Sequence, residues 1–188
     1  MRLIFLALAI VAVPAASSQI ASSTPDAPPE PSLSQRVLDP ERPTLTDRQP
    51  EGLSPAEAQV RAIIEQEGIH VVRFWAPWCG NSMNELRDGL YDLIGDHPDV
   101  TFTFVTVRND GEDGQATLDR FAIPDRVTVL AEQNRQPLTF LGLPITWTPT
   151  TWIFNREGKL AYAFNYGEIS PAMLTAAIAH ARDDWHHD

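Results

Sequence analysis

An α/β architecture, with a central sheet flanked by helices, is what this sequence predicts, and three observations predict it. Two β-branched and aromatic runs, "IHVVRFWA" (69–76) and "DVTFTFVTVR" (99–108), are separated by a helical stretch, the pattern of a parallel strand pair joined by a crossover helix. A later stretch, "TTWIFNREGKLAYAFNYG", reads as a β-hairpin turning at Arg156-Glu157-Gly158. At 188 residues with 43% hydrophobic content the chain can bury one ordinary core and is too short for two large ones.

The ordered part begins at "SPAEAQVRAIIEQEG". Ser54 is placed to cap a helix, Pro55 sits at its first position, and Glu57 closes a capping box. Val60, Ile63 and Ile64 mark one apolar face, and Gly68 is the expected stop. The run 69–76 follows as a buried central strand. After the loop "PWCGN", "SMNELRDGLYDLIGDH" reads as one helix with Met83, Leu86, Leu90, Leu93 and Ile94 on its inner side. Beyond the strand 99–108, "NDGEDG" is turn-rich, "QATLDRFAI" is a short helix and "RVTVL" a possible strand. The stretch 131–149 supports no assignment, and the hairpin follows it. A last helix is capped by Ser170, with Pro171 behind it and Leu174, Ala177, Ile178 and Ala181 as its apolar stripe.

Residues 1–16 read as a secretory signal peptide: one basic residue, an apolar run from Leu3 to Val13, and a small-residue cleavage pattern near Ala15 or Ala16. The run is too short to cross a hydrocarbon core of about 30 Å, and no cysteine follows it to carry a lipid. The expectation is a bacterial protein that is periplasmic or secreted, with no stable membrane insertion after signal cleavage. Residues 17–50, crowded with Pro, Ser and charge, read as an extended, mostly disordered linker. The formal charge of −11 repels nucleic acid and anionic lipid, and no run of Lys or Arg overturns that. Loss of Arg2 with the signal makes the mature chain one charge more negative.

An oxidising compartment makes the cysteine count informative. There is one, Cys79, so no intramolecular disulfide is possible, and the thiol is inert and buried, reactive, or shared with another molecule. Its surroundings favour the reactive case. Cys79 stands where a helix should begin, and unpaired N–H groups with a partial positive charge stabilise a thiolate there. Trp78 shields one side, and Gly80 lets a partner's backbone approach. His180, His186, His187 and neighbouring Asp residues give no convincing metal set, and no cofactor motif is present.

The combination of "FWAPWCGNS" after a strand and opening a helix, "TPTTWIFNREGKL" some seventy residues later, and a final amphipathic helix resembles the thioredoxin superfamily. Within it, the periplasmic TlpA/ResA-like thiol-disulfide oxidoreductases look closest. The resemblance covers roughly residues 54–185 and implies a thioredoxin-like domain, 51–188, with a mixed central sheet. It also implies a cis bond at Pro149, where a trans proline at a strand edge is the alternative, and a backbone at Thr148 that receives an extended substrate strand.

Two departures matter more than the matches. The family's CxxC is here Cys79-Gly80-Asn81-Ser82, so the thiol that would resolve a mixed disulfide is absent. Ser82 either donates a hydrogen bond to the Cys79 thiolate or caps the helix. The buried acid that thioredoxins carry six residues before the nucleophile is here Arg73. ResA-like proteins place the acid three residues after the second cysteine, where this chain has Glu85, which is a proton acceptor, a partner of Arg73, or a solvated helix residue.

Three functions from different classes remain. One is monothiol thiol-disulfide exchange with disulfide- or thiol-containing proteins or small thiols, with Cys79 as nucleophile, Ser82 and Glu85 as its supporting groups, and an external thiol resolving. Another is a non-catalytic module that binds extended peptides or partner proteins through Trp78, Gly80, Thr148 and Pro149. A thiol peroxidase also needs only one cysteine, but the pattern P-x-x-x-T-x-x-C does not occur.

Overall fold

The structure, a computed structural model, describes residues 52–133, 138–166, 168 and 170–182. The expected signal peptide, the linker and the terminal His186 and His187 lie outside the described residues.

Helix α1 (Pro55–Ile64) starts as its sequence dictates: the Ser54 hydroxyl accepts from the Glu57 amide, and the Glu57 carboxylate accepts from the Ser54 amide. It stops at Ile64, earlier than Gly68, which instead turns the chain into β1 with φ +135°. The other oxygen of buried Glu57 accepts from Leu141 N at 2.7 Å, so the helix cap also anchors a distant loop.

Strand β1 (Ile69–Trp75) is buried at every position, as the centre of a sheet covered on both faces requires. It pairs in parallel with β2 (Val100–Thr106), which pairs in parallel with β3 (Thr128–Ala131). On its other edge β1 runs antiparallel to β6 (Thr150–Phe154), and β6 continues antiparallel into β7 (Leu160–Asn165). The order β3-β2-β1-β6-β7 makes a mixed sheet. The stretch that sequence left open contributes a two-stranded ribbon, β4 (Thr139–Phe140) and β5 (Leu143–Pro144).

The single helix expected after the cysteine is two: α2 (Gly80–Arg87) and α3 (Leu90–Asp96). Gly89 causes the break, adopting φ +99°, a left-handed conformation that a helix interior cannot contain. The apolar spacing survives because Leu86, Leu90, Leu93 and Ile94 still reach one core. They pack there with Val71 and Trp75 of β1, with Leu118 of the short α4 (Gln115–Arg120), and with Leu174, Ala177 and Ile178 of α5 (Pro171–Arg182). The opposite face of β1 puts Val72 and Phe74 against Val60 and Ile64 of α1 and against Phe140. Phe74 meets Phe140 and Trp152 edge to face at 4.9 and 4.6 Å. Each such fully buried side chain contributes about 1.5–3 kcal/mol.

His70 ends this core at the start of β1. Its Nε2–H donates to the Gln66 carbonyl at 2.9 Å, while Nδ1 is buried with no partner. Burial is the main cause that holds the imidazole below its ordinary 6.5, outweighing the Gln66 carbonyl, which raises it. The unfolded chain therefore binds the proton more readily. Stability is fully present above about pH 6.5 and is lost as pH falls from there through the lower folded-state value. His97, also lowered by burial and then by Arg182, adds in the same direction. Urea unfolding at pH 7.5 and 5.5 should show the loss, and His70→Gln should flatten part of the slope; an unchanged slope would exclude His70 as a contributor.

Candidate active site

The loop 76–79 leaves β1 at the carboxyl edge of the parallel strands, where α/β folds collect their reactive groups. Two backbone bonds shape it: Cys79 N–H donates to the Ala76 carbonyl at 3.0 Å, and Met83 N–H to the Cys79 carbonyl at 3.0 Å. Cys79 is thereby the N-cap of α2, with extended dihedrals and a side chain not spent on capping. The residue is half-buried. The thiol donates to the Thr148 carbonyl at 3.3 Å, so two residues 69 apart in sequence meet at the centre of the site.

Thr148 and Pro149 are joined by a cis peptide bond, as the resemblance implied. Their loop is fixed from both sides. The Thr150 hydroxyl donates to the Trp147 carbonyl at 3.0 Å, and Tyr166 N–H donates to the Pro149 carbonyl at 3.0 Å. Trp78 and Trp147 remain 61% and 63% exposed. A side chain added at Gly80 would meet nothing within 4 Å, so the space above the first turn of α2 is open to a partner.

Ser82 faces inward and is 1% exposed. Its oxygen accepts from Ala76 N–H at 3.3 Å, which ties the first turn of α2 back to the end of β1. The hydroxyl works one turn inside the helix, and the cap position belongs to Cys79. Among the described residues no hydrogen bond joins Ser82 to Cys79.

Glu85 is the partner of Arg73. Arg73 lies on the α2 side of β1, where its Nη2 pairs with Glu85 Oε2 and its Nη1 donates to Thr151 Oγ1 at 3.0 Å. The guanidinium is buried, and that burial holds it down to about 10, still a cation at neutral pH. One side chain therefore links β1, the helix that carries Cys79, and the strand that follows Pro149. A cavity of about 290 Å³ opens beside the pair between α3 and α5, with Tyr166, Ser170 and Leu174 on its walls.

Several positions the sequence reading passed over also shape the site. The Trp78 indole N–H donates to the Arg108 carbonyl at 2.8 Å, which fixes the ring against the loop after β2. Gly114 comes so close that a Cβ there would lie 2.8 Å from Trp75 and 2.9 Å from Pro77. Trp147, two residues before Pro149, was visible as an apolar residue in a polar loop, but only the fold shows which way it faces. His180, within α5, pairs its Nδ1 with the Tyr162 hydroxyl. Among the described residues, no three His, Cys, Asp or Glu are grouped to hold a metal.

Parallel β1 and β2, antiparallel β6 and β7, helices on both faces and a cis proline opposite a cysteine at a helix start define one architecture. The fold is thioredoxin-like. Solved structures share it at low identity. A secreted Mycobacterium tuberculosis disulfide oxidoreductase, homologous to Escherichia coli DsbE, is 20% identical with a TM-score of 0.50, covering 63% of this chain and 85% of its own. A secreted thiol-disulfide isomerase from Corynebacterium glutamicum is 17% identical at TM-score 0.50, covering 62% and 71%. A thioredoxin candidate from Neisseria meningitidis is 15% identical at TM-score 0.52, covering 65% and 81%. No protein-family model matches the sequence, and no curated protein matches it either.

Removing Glu85 leaves the buried charge of Arg73 uncompensated, whereas replacing both by apolar residues does not. Glu85→Leu should cost about 3 kcal/mol in urea unfolding, and Arg73→Met with Glu85→Leu should recover most of that loss. Equal losses in the single and double variants would mean that the pair is not coupled.

Proposed function

We propose that this protein is an exported, periplasmic or secreted, monothiol thiol-disulfide exchange protein. The observation that carries the reading is Cys79: half-buried at the start of α2, its thiol in contact with the Thr148 carbonyl beside Pro149, with serine at the resolving position. Neighbours of the same fold that are described as thiol-disulfide enzymes support the general redox role.

The chemistry runs in two steps. Cys79, as its thiolate, attacks one sulfur of a partner disulfide. The Cys79–partner bond forms as the old S–S bond breaks, and the partner's second sulfur departs as a thiolate. Ser82 has no sulfur with which to expel the bound partner. An external thiolate, from a small molecule or another protein, then attacks the mixed disulfide, takes the partner into a new disulfide and returns Cys79 as thiolate. Thr148 and Pro149 hold the partner strand in line with the sulfur, Trp78 walls the approach, and the open space over Gly80 admits its backbone.

A second reading, a binding module with little turnover, draws on the Arg73–Glu85 pair. A carboxylate held by a buried guanidinium is poorly placed to shuttle protons, which suits capture better than rapid cycling.

The test is the lifetime of a glutathione or peptide mixed disulfide at Cys79 after removal of free thiol. The adduct should persist in the wild type and decay at least about tenfold faster in Ser82→Cys, because a neighbouring thiol acts at high effective concentration. Cys79→Ala should form no adduct. If Ser82→Cys gains nothing in disulfide reduction and Cys79→Ala binds every partner of the wild type, the binding-module reading replaces this one.

A further inference from the structure

The rim of the site contains charge and aromatic surface that thiol exchange does not use. The loop after β2 includes Arg108, Asp110, Glu112 and Asp113. Its backbone is pressed onto the cysteine loop: Val107 N–H donates to the Trp75 carbonyl at 2.9 Å, the Arg108 carbonyl receives the Trp78 indole, and Gly114 packs on Trp75 and Pro77. The Glu112 carbonyl receives Asn109 Nδ2 at 3.0 Å and the Thr106 hydroxyl, which fixes the loop internally. Asp110, Glu112 and Asp113 have exposed side chains. Arg108 is half-buried, and its guanidinium turns inward toward the Ile145 carbonyl at 3.5 Å. Among the described residues of this loop, the exposed charged side chains are therefore carboxylates.

Two exposed tryptophans border the thiol and its carbonyl partner, and Trp78 also touches the acidic loop. Trp78 precedes Cys79 and Trp147 precedes Thr148, the two residues whose side chain and carbonyl meet. The Trp78 N–H is engaged, and both residues keep more than half of their surface open to a ligand. An indole face is the best natural partner for a cation, and a long Arg or Lys stem also covers apolar surface.

We infer that the rim formed by Trp78, Trp147 and the loop 108–113 recognises a cationic side chain next to the cysteine of a partner peptide. This rests on the exchange reading of Cys79 and names its substrate class: extended segments with Arg or Lys flanking the reacting sulfur. The overall charge of −11 draws such segments in and repels acidic ones.

Otherwise identical peptides, with Arg, Gln, Leu or Glu beside a cysteine activated as its thionitrobenzoate mixed disulfide, supply the test. Cys79 attacks the peptide sulfur, and the released thionitrobenzoate is read by absorbance. At low ionic strength the Arg peptide should react about fivefold faster than the Gln peptide and about tenfold faster than the Glu peptide, with the gap narrowing in salt. Trp147→Ala should bring the Arg-to-Gln ratio close to one, and Trp147→Phe should keep part of it. Asp110→Asn with Glu112→Gln and Asp113→Asn should shrink the Arg-to-Glu ratio and flatten its salt dependence. Equal rates for all four peptides, or fastest reaction with Leu, would overturn the inference. The same order should appear without chemistry, as quenching of tryptophan fluorescence when Cys79→Ala binds peptides with Ser in place of Cys. If that order holds while the wild type releases no thionitrobenzoate, the recognition stands and the exchange reading falls. If binding shows no order, the recognition falls whatever the thiol does.

Discussion

A single buried cation ties the site together. Arg73 occupies a core position of the central strand, where a charge is costly unless it is paired and hydrogen-bonded. Its partners satisfy that demand from two directions, Glu85 from α2 and Thr151 from β6. Those are the elements that hold Cys79 and follow Pro149. The constraint is strict because a guanidinium is planar and fork-shaped, so its partners are confined to narrow directions. Movement of α2 along the sheet would break the ion pair, and movement of β6 would break the hydroxyl contact. The contact of the thiol with the Thr148 carbonyl depends on both staying in place.

The remainder of the site follows from strand direction. Because β1 and β2 run in parallel, their carboxyl ends lie side by side, and the loops that leave them are neighbours. The cysteine loop and the acidic loop share a border for that reason. Gly114 makes the border tight, since any larger residue would displace Trp75 or Pro77. The antiparallel β6 arrives at the same edge from the opposite direction and starts there, which sets the cis Thr148–Pro149 loop across from the cysteine.

The two departures from the family pattern belong together physically. A resolving cysteine inside the first turn of α2 would need its proton removed, and a nearby carboxylate is suited to that. Here Ser82 needs no deprotonation, its oxygen serves the Ala76 amide, and the carboxylate at Glu85 is engaged by a cation. On the exchange reading proposed above, a site with one sulfur has no use for a mobile acid, and the charge on β1 is accommodated without one.

Much of this was legible along the chain because it is local. The capping box at Ser54 and Glu57, the buried strand 69–76, the hairpin turn near Gly158 and the stripe of α5 each depend on residues within a few positions of one another. Cys79 at a helix start and Ser82 in place of a second cysteine were equally plain, since a missing sulfur is a matter of composition. Spacing misled where two local signals competed: the apolar period runs through Gly89, but its left-handed backbone divides the helix. The partnership of Arg73 with Glu85, the Ser82 hydroxyl on Ala76, the thiol on the Thr148 carbonyl and the outward turn of Trp147 were decided only by the tertiary structure. Each joins groups whose distance and direction depend on how strands pair and how a helix packs on them, and contacts between separate elements leave no periodic trace in the order of residues.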